Sequence, residues 1–245
     1  LISAPSLLLL GTNGIYTLTN TGNAITTLAG NTGTVSLVEN SGFAIGTISG
    51  TVGLTTSGNT TLSSTGTVTQ SAALPAAGLE LLGTGGTYTL TNTGNTVTNL
   101  AGNTGTVSFA GNSGFAIGTV NTVGLTTSGN TTLSSTGTVT QSQKIASTGL
   151  ELLGTNGIFT LTTATNAITS LAGNTATVSF AGNSGFAIGT VNTVGLTTSG
   201  NTTLSSTGTV TQSAAITAAG LELLGTGGTY TLTNTGNAIT TLAGN

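Results

Sequence analysis

Residues 79–149 run LELLGTGGTYTLTNTGN (79–95), TVTNLAGNTGTVSFAGN (96–112), SGFAIGTVNTVGLTTSGN (113–130) and TTLSSTGTVTQSQKIASTG (131–149). Each piece holds short runs of Thr, Val, Ile, Leu, Tyr or Phe with alternating character, such as TYTLT, TVSF and TVTQ. Gly, Asn and Ser bound these runs, which is the pattern of strands separated by turns. Gly and β-branched residues are poor helix formers, and no stretch carries a sustained apolar stripe of helical period, so helix is disfavoured throughout. Strands this short cannot persist as isolated hairpins and gain most by stacking each piece on the next. The expected fold is all-β, a parallel β-solenoid. Cutting after each Gly-Asn predicts coils of about 18 residues with three faces, four coils to this stretch; three coils of about 24 residues are the alternative. At about 4.8 Å per coil the chain would span about 65 Å.

The stretch is one copy of a longer repeat. Gly11, Gly83, Gly154 and Gly225 occupy one place in it, at intervals of 72, 71 and 71 residues, which divides the chain near 7–78, 79–149, 150–220 and a partial 221–245. Residues 106–142 are identical to 177–213. The extra residue of the first interval lies where GTISGTVGL (46–54) replaces the GTVNTVGL that begins at Gly118 and Gly189, a one-residue loop insertion. The sequence starts at Leu1 and stops at Asn245 partway through a repeat, and is read as one continuous solenoid forming a window of a longer chain.

All nine aromatics fall in three columns: Tyr16, Tyr88, Phe159 and Tyr230; Phe109 and Phe180, with Leu37 at the same place; and Phe43, Phe115 and Phe186. Burying such a side chain is worth about 1.5–3 kcal/mol, so these columns are assigned to the core rather than to an exposed carbohydrate-stacking strip. Gly94-Asn95, Gly111-Asn112 and Gly129-Asn130 are assigned to corners, where these residue types tolerate left-handed backbone. Glu80, Glu151 and Glu222 occur once per repeat and are expected to be solvated, outward-facing residues.

Composition removes whole classes of function. The chain of 245 residues has one cation, Lys144, and four acids, Glu39, Glu80, Glu151 and Glu222, and it lacks His, Cys, Asp, Arg, Met and Trp. The usual general acids and bases, thiol nucleophiles and metal ligands are missing together, so no enzyme, cofactor or small-molecule substrate is expected. One lysine cannot neutralise a row of phosphates, which excludes a nucleic-acid partner. Calcium-binding solenoid turns need Asp, and the Gly-rich strings carry neither phosphate-loop pattern, so both read as turns. NTT triplets at Asn59, Asn130 and Asn201 are the only candidate glycan acceptors, and composition alone generates such triplets. The T-x-T strings Thr87/Thr89, Thr138/Thr140 and Thr209/Thr211 would set hydroxyls on one strand face, the arrangement of an ice-binding solenoid, but they do not recur in every expected coil.

The texture of the chain, clearest in GNTTLSSTGTVTQSAAITAAGLELLGTGGTYTLTNTGNAITTLAGN (200–245), resembles the repeat region of filamentous-haemagglutinin-like exoproteins, the large adhesins of bacterial two-partner secretion. The resemblance implies a right-handed parallel β-helix shaft, exported through an outer-membrane transporter to the extracellular cell surface, where it supports attachment, aggregation or biofilm. The expected role is the structural shaft of such a fibre, with a host or neighbouring cell surface as partner. Self-association, end to end or side by side, into a homopolymeric matrix filament is the alternative, and an ice-binding solenoid is a further one.

Overall fold

The computed structural model describes residues 1–163 and 165–245, and every described element is a β-strand. The strands stack in parallel as a β-solenoid. Among the described residues, antiparallel pairing is confined to the hairpin Thr47–Ile48 with Thr51–Val52 and to single bridges Thr119–Val123 and Thr190–Val194. These three places are the one loop of each repeat. The residue inserted in the first copy lengthens the loop into a hairpin, with Ser49 and Gly50 at positive φ.

One coil defines the cross-section. Thr96–Gly111 lies on Pro75–Leu90 and carries three successive strands above it: Gly114–Ile117 on Asn99 and Leu100, Leu125–Thr127 on Gly102–Thr104, and Thr131–Ser135 on Val107–Gly111. Each turn therefore has three sides. Partners in adjacent turns lie 17 residues apart at Asn99–Ala116, 21 at Leu79–Leu100 and 25 at Val35–Thr60. The spacing averages about 21, with about 11 turns in all. The rod is then about 53 Å long at about 4.8 Å per turn.

The expectation of 18-residue coils, four to the repeat, is thus corrected. Gly-Asn marks a corner, and different Gly-Asn pairs mark different corners. Asn95 is followed one turn later by Asn112, whose amide donates to the Asn95 carbonyl, whereas Gly129 stacks on Gly105 in another corner column. The loop between Gly118 and Gly124 lies outside the winding, since the Gly124 amide donates back to the Gly118 carbonyl. Its residues lengthen one turn without altering the side it spans.

The repeat is not a whole number of turns. Leu150 stacks on Thr131, Thr131 on Val107, and Val107 on Tyr88, so three turns take the chain from Tyr88 to Leu150, or 62 residues. The remaining nine residues of the repeat, from Leu79 to Tyr88, carry it round one further side. Leu79 therefore tops a column of Tyr16, Val35 and Thr60; Leu150 tops the same sequence of residues one side on; and Leu221 tops Phe159, Val178 and Thr202 one side beyond that. Equivalent residues spiral around the rod.

The interior is filled by those columns. Tyr88, Phe109, Phe159, Leu79, Leu100, Leu133 and Leu150 have no solvent exposure. The rings Phe109–Phe115 and Phe180–Phe186 meet edge to face at 5.1 and 5.2 Å, a favoured aromatic geometry. Buried polar groups are paired inside the rod. The Tyr88 hydroxyl donates to the carbonyls of Leu62 and Leu82, and burial pushes its pKa up. Asn95 donates to Leu90 and Ala110 and accepts from the Leu74 amide and Gln70. Its copy Asn166 repeats the set with Gln141, and Asn237 accepts from the Ile216 amide and Gln212 and donates to Leu232 and Gln212. Among the described residues no buried side-chain nitrogen or oxygen lacks a partner, as a closely packed interior requires.

In the second repeat the left-handed angles fall not on the Gly-Asn corners but on Gly83 (φ +116°), Gly85 (+79°), Gly114 (+106°) and Gly124 (+76°). At Gly111 the requirement is space: an added Cβ would come within 2.6 Å of the Phe115 ring.

Candidate functional site

The loop of each repeat and the glutamate that precedes it form the most elaborate outward-facing structure on the rod. Leu79 and Leu81 point inward and are fully buried, so the pleat turns Glu80 outward. It is nevertheless only 2% exposed, as is Glu151. The expectation of solvated glutamates is overturned for these two residues. The reason is tertiary: the loop at Asn121 and Thr122 folds down over Glu80 from two turns above it.

The Thr122 amide donates to Glu80 Oε1 at 2.6 Å. Asn121 Nδ2 and Thr61 Oγ1, the latter from the turn below, each donate to Oε2 at 2.8 Å. Asn121 also donates to Thr61 at 3.1 Å. One loop, a carboxylate and a hydroxyl thus tie together three turns across a span of four, reaching past the turn that carries Ala101. The third repeat reproduces the arrangement: Glu151 accepts from the Thr193 amide and hydroxyl at 2.6 Å each, from Asn192 at 2.7 Å and from Thr132 at 2.8 Å. Burial pushes the Glu80 and Glu151 carboxyls up, but the donors Thr122 and Thr193, Asn121 and Asn192, and Thr61 and Thr132 outweigh it and hold both below the usual glutamate value. Beneath the strap lies a bare backbone: Val120 packs on Gly78 and Val191 on Gly149, where an added Cβ would approach the valine methyls to 3.1 and 3.0 Å.

The other two copies differ. In the first repeat Ser6 and Leu8 stand where Gly78 and Glu80 stand in the second, and the loop reads ISGTV (48–52) instead of VNTV. In the first three repeats Gly-Leu-Glu and Val-Asn-Thr thus occur together, in the second and third, or are both missing, in the first. This pairing was legible in the sequence, but nothing there showed that residues 41 and 42 positions apart touch. At the fourth place Gly220 and Glu222 recur, and the corresponding loop position lies beyond Asn245; Glu222 is exposed and, among the described residues, accepts from Thr203 Oγ1 at 3.0 Å. A groove of about 260 Å³ opens there, lined by Asn201, Thr203, Gly220, Glu222 and Thr241 among others. Glu39, alone in its column, is fully buried and accepts from the Gly42 amide at 2.6 Å and from Ser41.

The remaining sequence candidates are dispersed. Asn59 and Asn130 lie half-buried beside Gly78 and Gly149 under the straps, whereas Asn201 is exposed beside the open groove. Thr87 and Thr89 stack on Thr67 and Thr69 and beneath Thr106 and Ser108, making a block of six hydroxyls. Thr138 and Thr140 begin a second block, and Thr209 and Thr211 a third, each a side further round. Among the described residues no three His, Cys, Asp or Glu side chains gather to hold a metal. No protein-family model, curated protein or solved structure matches this chain.

Proposed function

We propose that this chain is part of a structural shaft, a stiff non-catalytic spacer within a cell-surface fibre or adhesin. The observation that carries the reading is the spiral of equivalent residues. Because each repeat is turned one side from the last, the loop, the hydroxyl block and the apolar columns are shared equally among the three sides. No side accumulates one chemistry along the rod, which suits a spacer better than an extended binding face. The near absence of charge and the resemblance to haemagglutinin-like exoprotein repeats support the same role, with export through an outer-membrane transporter and attachment carried elsewhere in the fibre. An antibody raised against residues 79–149 should label fibres on unbroken cells; labelling only after lysis would refute the surface role.

The spiral also bears on the ice-binding reading. Each hydroxyl block spans about three rungs, or about 10 Å, before the next appears on another side, so no broad plane forms. Thermal hysteresis is expected to be absent at high protein concentration. End-to-end polymerisation is the second reading, since a rod with one cation and four acids carries little charge to oppose the pairing of strand edges. A rod whose contour length by negative stain stays fixed as concentration rises would exclude it.

A further inference from the structure

The loop strapped over Glu80, and its copy over Glu151, meets the carboxylate through donors alone. Oε1 of Glu80 accepts from the Thr122 amide, and Oε2 accepts from Asn121 Nδ2 and Thr61 Oγ1. Glu151 accepts from the same three places, Thr193, Asn192 and Thr132, with the Thr193 hydroxyl as a fourth donor. A carboxylate accepts at both oxygens, whereas a carboxylic acid must donate from one of them. A proton on Oε1 would meet the Thr122 N–H, and one on Oε2 would meet Asn121 Nδ2. Neither nitrogen can accept, and the Thr61 hydroxyl already accepts from Asn121. Either protonated form therefore strands one of the two donors that the strap contributes.

The winding does not depend on those donors. The base of the loop is closed by backbone, with the Gly124 amide donating to the Gly118 carbonyl at 2.9 Å and Gly195 to Gly189 at 2.8 Å. The first repeat keeps this closure, Gly53 to Gly46 at 2.8 Å, although Leu8 stands in place of the glutamate and its loop lacks Val-Asn-Thr. Beyond the loop the coil is secured by the next turn, since the Leu125 amide donates to Lys144 and Leu196 to Ala215.

We infer that each strap is a proton-released latch: protonation of its glutamate frees the Val-Asn-Thr tip from the face of the rod while the turns beneath stay wound. Among the described residues no second titratable group faces either carboxylate. Around Glu80, the strands Asn59–Ser63 and Thr96–Gly111 and the loop 118–124 carry none, and Tyr88 on the Glu80 strand turns its hydroxyl inward to Leu62 and Leu82. Around Glu151, Thr131–Ser135, Ala167–Gly182 and the loop 189–195 carry none either. Lys144 is exposed and opens the preceding side of that coil, where Ile145 stacks on Leu125, whereas Glu151 stacks on Thr132. Release uncovers the bare backbone of Gly78 or Gly149, on which Val120 or Val191 packs. A freed carboxyl returns to the ordinary glutamate value near 4.3, so opening grows as pH falls below it, by up to about tenfold per unit. The inference rests on the solenoid geometry and is independent of the shaft's cellular role.

Amide hydrogen exchange between pH 6 and pH 3, corrected for the intrinsic rate, tests this on the intact chain. Residues 106–142 and 177–213 are identical, so Thr122 and Thr193 are read as one summed signal. Their protection should fall at least about threefold across that range, while Gly124, Gly195, Leu125 and Leu196 keep theirs. Gly53, in the loop without a glutamate, should not respond. Glutamine stands for the neutral acid, so Glu80→Gln should remove about half of the acid response. The double variant with Glu151→Gln should remove all of it and show at pH 6 the weaker protection that the native chain shows at pH 3. Protection at Thr122 and Thr193 that stays level from pH 6 to pH 3 would overturn the inference. So would a matching fall at Leu125 and Leu196 or at Gly53, because acid would then be loosening the rod and not the latch. An acid response that survives in the double variant would overturn it as well.

Discussion

Glu80 and Glu151 are held in place by donors on other turns, so their protonation is coupled to folding. An unfolded glutamate titrates near 4.3, and both residues titrate lower in the rod, so the folded state binds fewer protons in that range. Their stabilisation is complete above the unfolded value and is lost as pH falls through it and then through the folded values. Denaturant midpoints should fall on acidification below about pH 5, and the double variant Glu80→Gln and Glu151→Gln should show a flatter dependence. Glu151→Ala should cost about 1–2 kcal/mol by equilibrium unfolding, toward the lower end for a stranded donor because the freed loop can be hydrated. Asn166→Ala should cost more. Its amide fully occupies a corner, and removing it orphans the Ile145 amide and the carbonyls of Leu161 and Ala181, groups that cost about 1–3 kcal/mol each when buried unpaired.

At the scale of strands and corners, the corner 83–86 separates two reasons for glycine. Gly83 has φ +116°, and a Cβ there would lie 2.0 Å from the Ser64 carbonyl oxygen of the turn below; Gly85 has φ +79° with nothing within 4 Å. Gly85→Ala should therefore cost only the backbone strain, about 1 kcal/mol. Gly83→Ala should cost several times that, because the clash is with backbone of the adjacent ladder; thermal unfolding of the two variants checks the order. A second coupling lies between rings and corner. Where the second repeat has Phe109 and Gly111, the first has Leu37 and Glu39, so a smaller core residue accompanies a larger corner residue. Gly111→Ala crowds the Phe115 ring and should destabilise by about 1–3 kcal/mol. Adding Phe109→Leu should recover part of that, measured as a favourable coupling energy in a double-mutant cycle.

For the whole molecule, the repeat length and the turn length are separate quantities, and deletions distinguish them. Removing residues 79–149 joins Gly78 to Leu150, an equivalent junction, and should leave a folded rod shortened by about 16 Å in solution scattering, at about 4.8 Å for each of three and a third turns. Removing residues 113–130 takes out one of the pieces that the Gly-Asn spacing marks off. It should cripple folding, because the strands at Thr131 and beyond would then meet the wrong sides of the coil below. Retained stability in that deletion would contradict the three-sided winding.

The class of fold, the repeat, the aromatic core columns and the inserted loop were all legible in the sequence, because each depends on local alternation or on simple recurrence. TYTL, TVSF and TVTQ announce strands wherever they lie. What the sequence could not carry was the number of residues that close a turn. That depends on how sharply each corner bends and on whether a loop such as Thr119–Val123 belongs to the winding or stands outside it, both of which are settled only when neighbouring turns pack. The fate of the glutamates follows from the same quantity. Pleating alone turns Glu80 toward solvent, and only the tertiary phase between repeat and turn brings Asn121 and Thr122 down to cover it.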